Sequence, residues 1–264
     1  MNVYIREMKA HRKSLIIWCI GMVALIGSGM GKFAGFSSSG QSMNELMAQM
    51  PKSLQAFLGV GSLDMSTASG FYGVLFLYIV LLSTIHAAMI GATIISKEER
   101  DKTVEFLFVK PLPRKKIIVI KLLAALTQVG ILLIITWSAS LFIVGSYSDG
   151  EHIISDIGMT MVGMFILQVL FLVIGTAIAA LTKMPGKAAT LATGVLLATF
   201  ILSFAIDLSG KLEGLKYLTP FKYFEAKNVM DGGLESGFVG ISVVLIGVLA
   251  VSTFVFYDKR DLNV

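Results

Sequence analysis

One cysteine, three histidines, five prolines and a charged fraction of only 15% leave little material for most kinds of chemistry. With Cys19 alone, neither an intramolecular disulfide nor a cysteine-based metal site can form. His11, His86 and His152 lie far apart, without the spacing of metal ligands, so no metal is expected. The chain lacks GxxxxGK[ST], HExxH, CxxC and GxSxG, which removes the phosphate-loop route to ATP and the commonest hydrolase sites. No catalytic residue and no cofactor are expected on this chain, and it is not expected to be an enzyme. Its net charge of +5 does not point to nucleic acid either, because the basic residues sit at the ends of apolar runs rather than in one patch.

Hydrocarbon is what the chain has in plenty. Hydrophobic residues make up 55% of it, with a mean hydropathy of +0.81, where soluble domains run about 45–50% apolar and about 25% charged. Several uninterrupted apolar stretches approach or exceed the roughly 20 residues that cross a bilayer core. The short alternating segments of a membrane β-barrel are missing, so the expected class is all-α integral membrane. Six spans are expected, at about 14–31, 70–95, 117–145, 153–181, 188–208 and 238–257, in one transmembrane domain covering 1–264. The first run is too long for a signal peptide and lacks a small-x-small cleavage site. The basic segment before it fits a short interfacial helix. Gly27 and Gly31 form a GxxxG, the spacing that lets two helices approach closely, although Gly-rich helix ends produce it by chance.

Lys and Arg divide unevenly between the two sides that six spans define. With the N-terminus inside, sixteen fall on the inner side and six on the outer, which places both termini in the cytoplasm. The outer side then carries an amphipathic stretch, residues 41–59, in which Ser42 and Glu45 fit a capping box and Met43, Leu46, Met47 and Met50 share a face. That face suits membrane contact or local packing, and less readily an apolar substrate. Asp149, Glu151, His152 and Asp156 form a small acidic cluster best read as a solvated loop.

Residues 96–116 break the hydrophobic pattern: eleven of these 21 residues are charged, and the count of basic residues places them in the cytoplasm. Ser96 and Glu99 fit a second capping box, and Glu98 and Lys102 are spaced for an i,i+4 ion pair. A helix of about 10–12 residues is expected to start here, presenting Val104, Phe106, Leu107 and Phe108 before Lys110, the residue preceding Pro111, ends it. Such a helix suits docking into a groove on a soluble partner. A connecting loop whose apolar edge rests on the bilayer fits the same residues. Within the spans, His86 near the middle of the second, Gln128 in the third, Gln168 in the fourth and Asp207 near the outer end of the fifth are the costly polar residues. They suit interhelical hydrogen bonds, or a substrate path.

Glu98-Glu-Arg-Asp-Lys-Thr-Val-Glu-Phe-Leu107, then Lys110-Pro-Leu-Pro-Arg114, then Lys121 resemble the permease subunits of type-2 ATP-binding-cassette (ABC) exporters. The family's pattern is an acidic start, Gly-Thr-x-Glu-x-Leu, a Pro with a following Arg, and a Lys opening the next helix; here Lys102 stands where the family has Gly. The stretches 9–18, 50–59 and 219–224 are also similar, in order along nearly the whole chain. The resemblance implies a half-transporter in a bacterial plasma membrane. Two permease subunits, alike or different, would pair in lipid, each docked on one of two copies of an ATPase subunit that carries the ATP and Mg. Glu98, Glu99, Arg100, Thr103, Glu105, Phe106, Pro111 and Arg114 would form the coupling helix at that interface, with His86, Gln128 and Gln168 as pathway or interhelical groups. Export of an amphipathic or hydrophobic cargo is implied: a peptide antibiotic, a lipid or a drug. The alternatives are an ion-gradient carrier, for which only His86 offers a titratable group at mid-span, and a non-transporting immunity or sensor protein.

Overall fold

The computed structural model describes residues 3–38, 43–51, 54–55, 63–102, 113–148, 153–209 and 212–258. Among them there is no strand, and six helices are long and apolar enough to cross a membrane. In chain order the helices are α1 (Val3–Ser38), α2 (Met43–Ala48), α3 (Ala68–Arg100), α4 (Arg114–Gly145), α5 (Ile153–Leu181), α6 (Ala188–Ser209), α7 (Ala226–Gly232) and α8 (Ser236–Asp258). Single 3₁₀ turns occupy Pro185–Lys187, Glu213–Leu218 and Pro220–Phe224. The chain is a multi-pass membrane protein with six candidate spans, the number expected, with one difference in kind. The basic start and the first apolar run form one unbroken helix of 36 residues, about 54 Å at 1.5 Å per residue, in place of an interfacial helix followed by a span.

α3 and α5 are the centre. Two-thirds of the apolar window of α5 and 61% of that of α3 are buried, against 17–28% for α1, α6 and α8. The reason lies in small residues. A Cβ on Gly91 would sit 2.2 Å from the Leu172 carbonyl oxygen, and one on Gly175 would sit 2.4 Å from that of Ala88. The two backbones meet there with no room for a side chain, flanked by buried Ala87, Ala92 and Ala179. Packing of this kind drives helix association where hydrophobicity cannot, since lipid is as apolar as leucine. Among the described residues the Gly27–Gly31 pair makes no such contact: a Cβ on Gly31 would meet nothing within 4 Å and one on Gly27 only Ile143 Cδ1 at 3.9 Å.

α4 packs mainly on α1, α8 on α5, and α6 on α3. The outer helices leave apolar rows exposed, Ile16, Ile17 and Ile20 on α1 and Val243, Val244, Val248 and Val251 on α8. Lipid is the solvent for such rows. At the end of the bundle away from the termini, Thr67 caps α3 by accepting from the Gly70 amide at 3.1 Å. Asp64 Oδ1 accepts from Asn44 Nδ2 (2.6 Å) and from the Ser66 hydroxyl (2.6 Å), which ties α2 to that cap. These bonds, that of Ser66 first, hold the Asp64 carboxyl below the usual carboxylate range. Met47 packs with Met65, Val74, Leu63 and Phe71, so this part of the methionine face is local packing. The Ser42 capping box lies outside the described residues. Of the acidic cluster, Asp156 is described, and its Oδ2 accepts from Ser69 Oγ at 2.9 Å.

The polar connector after α6 folds back onto the bundle. Phe221 lies 5.2 Å from Phe171 and 5.0 Å from Phe200, and Tyr223 stacks on Phe238 at 4.7 Å. Lys222, 9% exposed, joins Asp207 at the end of α6 to Glu225. Asp207 is therefore an ion-pair partner at a helix end and lies away from mid-span.

Candidate functional site

At the end that carries both termini, α3 enters the charged stretch without a break. Ser96 is not a cap: it is buried in the running helix, its hydroxyl donating to the Ala92 carbonyl at 2.9 Å. Glu98 does not pair with Lys102 either. Its side chain points inward, 6% exposed, and its carboxylate is shared between Lys121 Nζ on α4 and Arg6 Nη2 on α1, the latter at 2.8 Å. Lys121, 1% exposed, also donates to the Ile94 carbonyl at 2.6 Å, and Arg6 binds Glu7 Oε1 at 2.9 Å. Two corrections to the expected pattern share this one physical cause. A helix can carry charge into a buried position when the neighbouring helices bring opposite charge to it, so the polarity of 96–100 does not force a new helix start.

Helix α3 ends one turn later. The Asp101 amide bonds to the Lys97 carbonyl at 2.8 Å, and Lys102 takes φ +54°, the left-handed conformation that favours glycine after a helix. Arg100 is exposed and donates through Nε to Asp101 Oδ1 at 2.9 Å, and this bond holds the Asp101 carboxyl below the usual carboxylate range. Glu99 is half-buried. Arg114 opens α4, its Nη1 donating to the Asp258 carbonyl at 3.5 Å, while Lys115 pairs with Asp258 Oδ2 at 3.8 Å. Pro113, at ψ 142°, turns the chain into α4. Thr103, Glu105, Phe106 and Pro111, with the rest of the expected docking helix, lie outside the described residues.

Beside the ion-paired cluster runs a groove of about 260 Å³ between α1, α3 and α4. His86 and Gln128 both line it, so the structure brings together two of the three mid-span polar residues. Gln168, fully buried on α5, does not line that groove. His86 is 3% exposed and packs edge-on against Trp18 at 5.6 Å. Among the described residues, His86 Nδ1 and both carboxamide atoms of Gln128 and of Gln168 have no hydrogen-bond partner. The interhelical hydrogen bonds expected of His86 and Gln128 are thus not made at these atoms. Reading the sequence put the basic run 1–13 at this end but missed that Arg6 and Glu7 join the ion-paired cluster. The signal for them was present: Glu7 is the one acid in the basic run 1–13.

A second cavity, of about 300 Å³, lies at the opposite end between α3, α6 and the folded-back connector, with Phe76, Phe204 and Phe221 beside Asp207, Glu225 and Lys227. Among the described residues, no group of His, Cys, Asp and Glu could hold a metal ion.

Among curated proteins none matches the chain. A family model described as ABC-2 family transporter protein matches residues 1–262. That match, on a bundle of six apolar spans whose charged end is tied together by Glu98, Lys121 and Arg6, places the chain in the ABC-2 family of membrane transporters, with the ABC ATPase partner that such a permease implies.

Proposed function

We propose that this chain is the permease half of an ATP-driven exporter. Two such subunits pair to form the pathway, each docked through the stretch from Glu98 to Arg114 on its own ATP-binding subunit. ATP and Mg act on the partner, and this chain has no catalytic role. The cargo is amphipathic or hydrophobic, a peptide antibiotic, lipid or drug. The docking end faces the cytoplasm of a bacterial cell, in keeping with the excess of Lys and Arg at the ends of α1, α3 and α4.

One observation carries this reading beyond the family match. The two helices that bracket residues 103–112 are fastened to each other by Glu98 and Lys121, and to α1 by Arg6. A push on that connector therefore enters three spans together, as an ATP-driven stroke requires. Glu98 serves in this as a fastener behind the docking surface, with its carboxylate already committed inside the protein.

Purifying the tagged chain from its native membrane tests the proposal. An ABC ATPase should co-purify, and Glu105→Lys or Phe106→Ala should reduce its recovery while membrane insertion stays intact. Absence of any ATPase from the unaltered preparation would sink the reading, and transport that outlasts ATP depletion but collapses with the proton gradient would favour an ion-driven carrier.

A further inference from the structure

The groove between α1, α3 and α4 contains buried polar atoms that the fold does not use. Buried donors and acceptors nearly always find partners, and orphans call for an explanation such as a bound ligand. His86 Nδ1 and Gln128 Nε2 and Oε1 are such orphans, on residues 3% and 1% exposed that line an open groove. His11, Lys97 and Arg100 line it as well. No Asp or Glu is among the described lining residues.

Three carboxylates at this end, Glu98, Asp101 and Glu7, each have a basic partner. Glu98 is held by Lys121 and Arg6, and Asp101 by Arg100. Glu7 gives one oxygen to Arg6 and faces His11 Nε2 with the other from 4.0 Å. Basic residues in the last turn of a helix complement its dipole, and that would account for Lys97 and Arg100 taken alone. It does not account for the two unpartnered residues deeper in the same groove.

We propose that this groove binds the anionic phosphodiester headgroup of a membrane lipid. Its described lining supplies hydrogen-bond donors and the cations Lys97 and Arg100, the latter shared with Asp101, and no acid, which favours an anion. Its size, about 260 Å³, falls just below the roughly 300–1,000 Å³ of sites for drug-sized molecules and suits a headgroup. Its walls continue into Met89, 39% exposed, apolar surface along which an acyl chain can lie. Basic pockets between transmembrane helices at a membrane interface hold acidic headgroups by this combination. The site rests on the membrane-spanning fold alone and would stand if the export reading fell.

The test is a lipid titration of the purified full-length chain with its co-purifying partners in neutral detergent, read as the thermal unfolding midpoint. Phosphatidylglycerol should raise the midpoint saturably, and phosphatidylcholine with the same chains should not. Lys97→Gln should weaken the apparent affinity for phosphatidylglycerol about fivefold, as loss of one cation near an anionic headgroup does. His86→Ala should weaken it as well; should that buried change prevent folding, half-buried Lys97 still decides the matter. Lys116→Gln, an exposed lysine at the same end, should leave the affinity unchanged. Equal responses to the two lipids, or equal losses in Lys97→Gln and Lys116→Gln, would overturn the site. Inorganic phosphate reproducing the full stabilisation would overturn the lipid as its occupant.

Discussion

Lys102 holds φ +54° just past the last turn of α3, with its side chain exposed. An L-residue in this conformation crowds its Cβ against the following carbonyl, at a cost of about 1–2 kcal/mol, and glycine escapes that cost. The motif that the sequence resembles has glycine at this position, and the backbone angle supplies the reason. Lys102→Gly should therefore stabilise the end of α3 by about 1 kcal/mol. Hydrogen exchange should report it as slower exchange of the Asp101 and Lys102 amides, with amides at the opposite end of α3 unaffected. Lys102→Val should have the reverse effect, because a β-branched residue is the least tolerant of this region. Slower exchange in both variants would mean that the backbone there is not held left-handed.

Among the elements, the six spans were legible because each is a long apolar run. What joins them was less so, since periodicity carries no record of which helix faces which. The strict GxxxG at Gly27 and Gly31 drew attention to α1, yet the close approach occurs at Gly91 on α3 and Gly175 on α5. The usable signal was the wider small-xxx-small pattern of Ala87 with Gly91, Ala88 with Ala92, and Gly175 with Ala179. In the same way, Glu98 looked like surface because its neighbours in sequence are charged, while the groups that bury it, Arg6 and Lys121, are 92 and 23 residues away. The helical interface makes a direct prediction. Gly91→Ala and Gly175→Ala should each lower stability by roughly 1–3 kcal/mol, since the added methyl meets backbone that cannot give way. Gly21→Ala and Gly194→Ala, where a Cβ finds nothing within 4 Å, should be neutral or slightly stabilising. Thermal midpoints in one detergent would separate the two pairs, and equal shifts in all four would remove α3 and α5 as the tight core.

At the scale of the whole molecule, the bundle has a rigid centre, three spans with largely unburied apolar faces, and one end where three helices are joined by charge. Breaking that junction should differ in kind from damaging the docking surface. Arg6→Gln removes the link to α1 but leaves Glu98 paired with Lys121, so the ends of α3 and α4 remain fastened. If the junction transmits the partner's stroke, this variant should recover its ATPase in full yet transport several-fold more slowly per ATP hydrolysed. Glu105→Lys, on the proposed contact itself, should lose the ATPase and with it both hydrolysis and transport. Co-purification and transport per ATP, measured together in reconstituted vesicles, separate the two outcomes. Unchanged coupling in Arg6→Gln would show that α1 is not driven through Glu98. The stroke would then have to reach it along its packing against α4, where the Tyr4 hydroxyl already donates to Thr127 at 3.0 Å.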